Sequence, residues 1–169
     1  MRINTIDVKF LADQHLLAEW VEILMLKPYI KRSINSKNGL ELPMEKTTIY
    51  ILGTGHAKFF YDKLLYVQKR YEEIEVELKK RKYNTNPTLD FSDLPLELFN
   101  DWEPTREDKI LNLNRIISRI LLKPLWYTYK KRNVDWIEFY EHTMNHSYIH
   151  DDSYIGNFGN NVQAKKIKQ

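Results

Sequence analysis

One long apolar seam constrains this fold more than any other feature of the sequence. Its members recur at steps of four and three residues: Phe60, Leu64, Val67, Tyr71, Ile74 and Leu78. This spacing predicts a helix from about His56 to Arg81 that buries a single face. The cations Lys69, Arg70, Lys79, Lys80 and Arg81 are then predicted to lie on the other faces of that helix.

Two further helices are predicted by the same periodicity. The first covers about residues 9–26, where Pro28 ends or kinks it, and the other runs from about Arg106 to Leu122. On the first helix the polar side chains of His15, Glu19 and Glu22 fall on a face away from the apolar stripe. We expect residues 31–48 and 83–107 to be polar connections, the second with a short helical turn near Leu96.

The composition supports one mainly α, compact single domain with a three-helix core. The chain has 169 residues, of which 43% are hydrophobic, and its formal net charge is +3. We predict that residues 1–130 form this domain and that residues 131–169, rich in Asn, Asp, His and Tyr towards their end, form a C-terminal extension. An apolar run of membrane-spanning length is absent from the sequence, as are cysteine and an apolar signal region behind Met1, so we expect an intracellular protein.

Few motifs of established chemistry are present. Gly53-Thr54-Gly55 lacks the remaining residues of a phosphate-binding loop and indicates a turn. A row of His142, His146 and His150, extended backward by Glu138, has the spacing of helical metal ligands. Because Asn and Asp residues interrupt any helix there, a polar surface segment is the alternative, and we predict no metal and no cofactor.

A basic row and an aromatic cluster near residue 120 fit nucleic acid as well as a plain protein surface. Arg115, Arg119 and Lys123 are four residues apart and could hold phosphates along one groove edge, or simply be a solvated helix face. The rings of residues 126–129 could stack on bases or cap the core. Glu22, taken alone, would be an exposed helical glutamate.

Three blocks of the sequence resemble one known family. They are Arg2-Ile3-Asn4 with Leu11-Ala12-Asp13-Gln14-His15-Leu16, then Ile51-Leu52-Gly53-Thr54-Gly55-His56 with Phe59-Phe60-Tyr61-Asp62-Lys63-Leu64, then Lys123-Pro124-Leu125-Trp126-Tyr127. In this order and spacing they are similar to the phage pyrimidine-dimer DNA glycosylases of UV repair, the endonuclease V type. The resemblance covers roughly residues 1–130.

The resemblance implies a repair enzyme with two linked activities. It would break the glycosidic bond of a UV-induced cyclobutane dimer in duplex DNA and then nick the backbone at the abasic site. The nucleophile would be the chain's own α-amino group, which forms a Schiff base with the sugar, and Glu22 would be the acid/base residue. Because a bulky Arg2 disfavours removal of the initiator residue, we expect Met1 to be retained and to carry that amine.

The same resemblance implies a set of DNA-binding residues. They are Arg2, Gln14, His15, Arg115, Arg119, Lys123, Trp126 and Tyr127. Lys123 replaces an arginine of the family and Arg119 replaces a lysine, changes that keep the charge and alter the geometry. We expect damaged double-stranded DNA as the partner, with no membrane and no obligate protein partner. A monomer acting on nucleoid DNA in the cytoplasm, of phage or bacterial origin, would fit.

Two departures from the family leave alternatives open. Val21 and Met25 stand where the family has arginines that contact DNA at the lesion, so the same chemistry on another damaged or modified base is one alternative. A non-catalytic DNA-binding module is a second, and a metal-dependent nuclease using the histidine row is a third. Residues after Thr128 have no counterpart in the family member compared, and they could extend the DNA footprint or mediate self-association.

Overall fold

The computed structural model describes residues 2–40 and 49–144, with the side chains of residues 141–144 left aside. The chain divides into a unit of residues 1–132 and a second unit of residues 133–169, each described here by itself. Within the described ranges the fold is mainly helical, as predicted, and no helix there is both long and apolar enough to cross a bilayer.

In its described residues the first unit contains five α-helices. They are α1 (Asp13–Leu24), α2 (Leu26–Ile34), α3 (His56–Phe59), α4 (Leu64–Lys80) and α5 (Arg106–Leu122). Two 3₁₀ turns lie in the described parts of the connections, Val8–Phe10 and Leu96–Leu98, the latter where a helical turn near Leu96 was predicted. Among the described helices the three longest are α1, α4 and α5, and the predicted apolar stripes of α4 and α5 are largely buried. The stripe predicted for α1 is wrong, because its member Val21 is 51% exposed while Leu16 and Ile23 are buried instead.

Helix α5 has the predicted bounds because its first turn is capped by side chains. The Thr105 hydroxyl accepts a hydrogen bond from the Asp108 backbone N–H, and the Asp108 carboxylate accepts one from the Thr105 N–H. This reciprocal arrangement satisfies two backbone donors that the helix itself leaves unpaired.

The predicted helix over residues 9–26 is wrong at both ends. Its start is a separate 3₁₀ turn, and α1 gives way at Met25 to α2, so residues 31–34 are helical rather than part of a connection. Pro28 does not end a helix here, because it occupies the first turn of α2, where the backbone needs no intrahelical donor.

The predicted long helix from His56 to Arg81 is also divided, by a turn over residues 60–63. Phe59, Phe60 and Tyr61 are all buried, and three consecutive residues cannot all lie on one stripe of a continuous helix. The turn lets both phenylalanine rings pack edge-on against Trp102.

Arg70 and Arg81 were predicted on outer faces of this helix, and that prediction is wrong. Both side chains are buried, Arg70 against Glu19 of α1 and Arg81 against Asp13 and Glu77. Glu19 is itself fully buried, so the face of α1 that carries it packs inside the protein. The core between α1 and α4 therefore contains two charged clusters within its apolar packing.

The second unit is described as far as residue 144. It contains α6 (Trp136–Met144), whose start is capped by the Asp135 carboxylate, which accepts from the backbone N–H groups of Ile137 and Glu138. The rings of Trp136, Phe139 and Tyr140 contact one another along this helix.

Candidate active site

The segment just after the amino terminus lies inside the protein. Residues 3–6 are buried and adopt no helix or strand, so their backbone groups need partners from elsewhere. Side chains supply them. The Tyr50 hydroxyl donates to the carbonyl of Ile3, the Tyr66 hydroxyl donates to the carbonyl of Asn4, and Arg70 donates to the carbonyl of Ile6.

The N–H groups of the same segment are satisfied in the same way. The N–H of Asn4 donates to Glu19 at 2.8 Å, and the N–H of Thr5 donates to the Asn112 side chain at 3.1 Å. We call residues 3–6 with these partners the N-terminal socket. Elements as distant as α1, α4 and α5 all contribute to the socket, so the whole helical core determines the position of the amino-terminal segment.

His56 holds Ile3, the first residue of the socket. Its Nε2 accepts from the N–H of Ile3 at 2.9 Å, and its Nδ1 lies 2.6 Å from the carbonyl oxygen of Ile51. Nδ1 therefore carries the proton, and the ring is neutral, because Nε2 can accept only in that form. Burial lowers the pKa of His56 to about 4, which keeps the ring neutral at physiological pH.

Glu22 lies at the outer end of the socket. Its side chain is 24% exposed, and a carboxylate oxygen lies 3.5 Å from the Nε of Arg2. A carboxylate here is open enough for a substrate and is positioned by a rigid helix. Met1, the predicted nucleophile, lies outside the described residues.

Three arginines and an aromatic pair lie around His15, two helical turns before Glu22 on the same side of α1. His15 is buried and stacks on Tyr127, with ring centroids 4.6 Å apart. Burial, followed by the charges of Arg115, Arg2 and Arg119, lowers the pKa of His15 to about 3. The three cations therefore act on one point from the amino-terminal segment and from α5, and they create a positive region beside Glu22.

The members of this region differ in exposure. Arg119 and Lys123 are exposed, and Trp126 keeps 58% of its surface in solvent while it packs edge-on against the buried Tyr127. Arg115 is half-buried because it donates to the Asn4 side chain at 2.6 Å, which ties it to the N-terminal socket. An exposed ring beside exposed cations is a surface on which a base can stack while phosphates are held.

Gln14 has a structural role that the sequence did not reveal. Its amide donates to the carbonyl of Trp126 and to the Thr128 hydroxyl, and its oxygen accepts from the N–H of Thr128. Gln14 therefore fixes the backbone that carries the aromatic pair to the start of α1.

A family of known function matches the part of the chain that carries most of the socket. The family is described as pyrimidine dimer DNA glycosylase, and its sequence model matches residues 1–91. The chain belongs to this family. It is accordingly a DNA glycosylase, an enzyme that binds damaged DNA and acts in its repair.

The matched range contains Arg2, Gln14, His15, Glu22 and His56 of this glycosylase, and it ends before α5. The remaining predicted DNA-binding residues, Arg115 to Tyr127, are joined to it by the contacts of Asn4, Gln14 and His15 described above. The structure thus brings the two groups of predicted residues to one side of α1, although their roles remain predictions.

The two positions at which the resemblance implies arginines are apolar and open in this structure. Val21 is 51% exposed and Met25 is 43% exposed, one helical turn apart and next to Glu22 on α1. Large apolar side chains in solvent beside a carboxylate leave a surface suited to a flat, apolar group.

The predicted metal row is only partly described. His142 lies in α6 without a described side chain, and His146 and His150 lie outside the described residues. Among the described residues, no group of three or more His, Asp or Glu side chains could hold a metal ion.

Sequence reasoning missed the residues that build the socket. They are Asn4, Glu19, Tyr50, His56, Tyr66, Arg70 and Asn112. A weak signal was available in the position of two of them. Glu19 and Arg70 lie one residue from the apolar positions Trp20 and Tyr71, so each would be at the edge of its helix's apolar stripe and only partly exposed.

Proposed function

We propose that this glycosylase excises cyclobutane pyrimidine dimers from duplex DNA and then cleaves the abasic site as a lyase, with the α-amine of Met1 as nucleophile and Glu22 as acid/base residue. The observation that carries the proposal is the 3.5 Å approach of Arg2 to Glu22 at the end of a buried segment. Because residues 3–6 are held and Arg2 reaches Glu22, an amine one residue before Arg2 would have only a short distance to span to that carboxylate.

The chemistry suits an α-amine better than a lysine. The amine attacks C1′ of the sugar, the bond from C1′ to the base breaks, and the base leaves with the bonding electrons and a proton. An α-amino group has a pKa of about 7.7–8.0, against about 10.4 for lysine, so a useful fraction is unprotonated near neutral pH. Ring opening then gives an iminium between the amine and C1′.

The second half of the reaction needs a base. The iminium draws electrons from C2′, and Glu22 removes a C2′ proton, after which the 3′ phosphate leaves with the C3′–O electrons. Water hydrolyses the remaining iminium and restores the free amine. Each step uses the amine, one carboxylate and water.

A second candidate keeps this chemistry and changes the base. The exposed Val21 and Met25 favour it, because they offer an apolar contact in place of two cationic ones. Such a surface would accept a different damaged or modified base, with the same amine and carboxylate.

Borohydride trapping tests both candidates. The protein with its native amino terminus is incubated with an abasic duplex and with a dimer-containing duplex, and the adduct is mapped by peptide mass spectrometry. We expect an adduct on the Met1 peptide with both DNAs. An adduct on abasic DNA alone would favour the second candidate, and no adduct on either would refute the lyase chemistry.

Two variants serve as controls. Glu22→Gln should bind DNA within about twofold of the wild type and lose roughly 10²–10⁴-fold in rate, the usual contribution of a general acid or base. A variant with one residue added before Met1 should bind DNA and form no adduct. Trapping that survived both changes would assign the nucleophile elsewhere.

A further inference from the structure

Three lysines occupy backbone positions that normally belong to glycine. Lys82, Lys130 and Lys131 have φ angles of 61°, 50° and 63°, and in the described ranges they are the non-glycine residues with positive φ. A side chain in this left-handed region costs free energy that glycine avoids, and such residues cluster at functional positions.

The local structure explains why glycine would be expected. After α4, Tyr83 N–H donates to Leu78 and Lys82 N–H donates to Lys79, a helix ending whose left-handed residue is usually glycine. Lys130 and Lys131 form the centre of a two-residue turn closed by paired hydrogen bonds between Tyr129 and Arg132. With two positive φ angles this is the type I′ arrangement, which favours Asn-Gly.

Tertiary contacts bring the two segments together. The Lys131 ammonium donates to the carbonyl of Lys82 at 3.0 Å and lies 4.6 Å from the centre of the Tyr83 ring. Buried Asp13 accepts from the N–H groups of both turn lysines, at 3.2 Å and 2.7 Å. Because Asp13 is itself paired with Arg81, the left-handed turn is held by the core.

The result is a group of exposed cations around the two left-handed segments. It comprises the exposed cations Lys79, Lys80, Lys82, Lys130, Lys131 and Arg132, which we call the basic patch. Asp13 and Glu77 beneath the patch are paired with Arg81, whereas Glu75 offsets the charge of Lys79, so the excess positive charge lies mainly at Lys82, Lys130 and Lys131. Lys130, Lys131 and Arg132 of the patch follow the aromatic pair and Thr128 in the sequence, and Gln14 fixes the backbone of that same segment.

We propose that the basic patch is a second phosphate-binding surface, which holds the backbone of duplex DNA outside the lesion site and independently of base sequence. The proposal depends on the proposed function in one respect, namely that duplex DNA is the substrate. Charge complementarity selects this partner, because closely spaced lysines without a pocket match a regular row of phosphates. Lysine at left-handed positions adds charge where glycine would have served the fold alone.

The test uses the glycine variant Lys82→Gly/Lys130→Gly/Lys131→Gly. Each change removes a charge and relieves a left-handed side chain, so the variant should unfold at a denaturant concentration equal to or above that of the wild type. Binding to an undamaged 30-base-pair duplex is measured across salt concentrations. We expect the slope of log K against log salt to become shallower by roughly 2–3, about 0.9 for each lost phosphate contact.

A matched variant separates position from net charge. Lys31→Gln/Lys37→Gln/Lys69→Gln removes the same charge from exposed sites elsewhere, two of them ion-paired with Asp93 and Asp101. We expect this variant to keep the wild-type slope. Equal slopes in the glycine variant and the wild type would overturn the proposal. An equal change of slope in the glycine variant and the matched variant would also overturn it.

The proposed function is judged separately, by trapping at saturating enzyme and low salt. The glycine variant should form adduct at the wild-type rate there, since the patch lies outside the reacting groups. A wild type that forms no adduct but shows the salt difference would refute the lyase chemistry and support the patch. A glycine variant that keeps the wild-type slope of log K against log salt but no longer forms the adduct would overturn the proposal that the patch binds phosphates.

Discussion

Two irregular segments meet at the candidate site of this glycosylase, and they are held in opposite ways. Residues 3–6 are buried, and side chains of four helices and of Tyr50 satisfy their backbone groups. Residues 126–132 run along the surface, with their backbone tied mainly to Asp13 and Gln14 while most of their side chains face solvent.

The difference matches the two tasks proposed for these segments. A nucleophile must be held within a fraction of an ångström of its target, and buried hydrogen bonds to a rigid core provide that precision. A surface that grips DNA works through charge and ring stacking, which tolerate side-chain motion. The comparison predicts that damage to the socket affects folding and chemistry together, and that damage to the surface segment affects binding.

The largest effect is expected at Arg70. Replacing it in Arg70→Met leaves Glu19 buried without its cation, which should lower the free energy of unfolding by about 3–5 kcal/mol. Lys69→Met on the same helix removes an exposed cation paired with Asp101 and should cost less than about 1 kcal/mol. Urea unfolding measures both, and similar losses in the two variants would contradict a buried socket.

The next largest effect is expected from acid, which should lower the free energy of unfolding through the two buried histidines His15 and His56. The pKa values of His15 and His56 are about 3 and about 4 in the folded protein, below the ordinary 6.5, so the unfolded chain binds more protons in between. Their contribution is complete above pH 6.5 and declines as the pH falls through this window. Each histidine should cost up to about 1.4 kcal/mol per pH unit.

Urea unfolding between pH 7 and pH 5 measures this loss, since Asp13 and Asp93 have a lowered pKa and titrate below that range. His56→Gln supplies the matched control, because a glutamine oxygen can still accept from the Ile3 N–H. We expect this variant to fold and to show a shallower slope by one histidine. An unchanged slope would mean that His56 titrates normally in the folded protein.

The sequence predicted the parts of this structure that depend on periodic apolar burial. Helix α5 agrees with its prediction because Leu113, Ile116, Ile117 and Ile120 form a regular stripe behind a side-chain cap. The socket could not be predicted in the same way. A buried Glu19 and a partly exposed Glu22 are alike in sequence, and only the packing of α1 against α4 distinguishes them.

The turn at residues 129–132 could not be predicted from the sequence for a related reason. The hairpin at Lys130 and Lys131 has none of the glycine or asparagine that usually signals a type I′ turn, so its sequence indicates only a basic run. Its geometry depends on Asp13, more than a hundred residues earlier. The candidate site was accessible chiefly through family resemblance, which supplied Glu22 and the DNA-binding set without the contacts that hold them.

The smallest expected effect tests how the surface segment is held. Gln14→Ala removes three hydrogen bonds to residues 126 and 128, and we expect DNA binding to weaken about fivefold, equivalent to about 1 kcal/mol. If Gln14 acts by positioning the aromatic pair, the loss should vanish in a Trp126→Ala background, because the ring it positions is gone. A loss that is additive in the double variant would instead place Gln14 in direct contact with DNA, since independent contacts add.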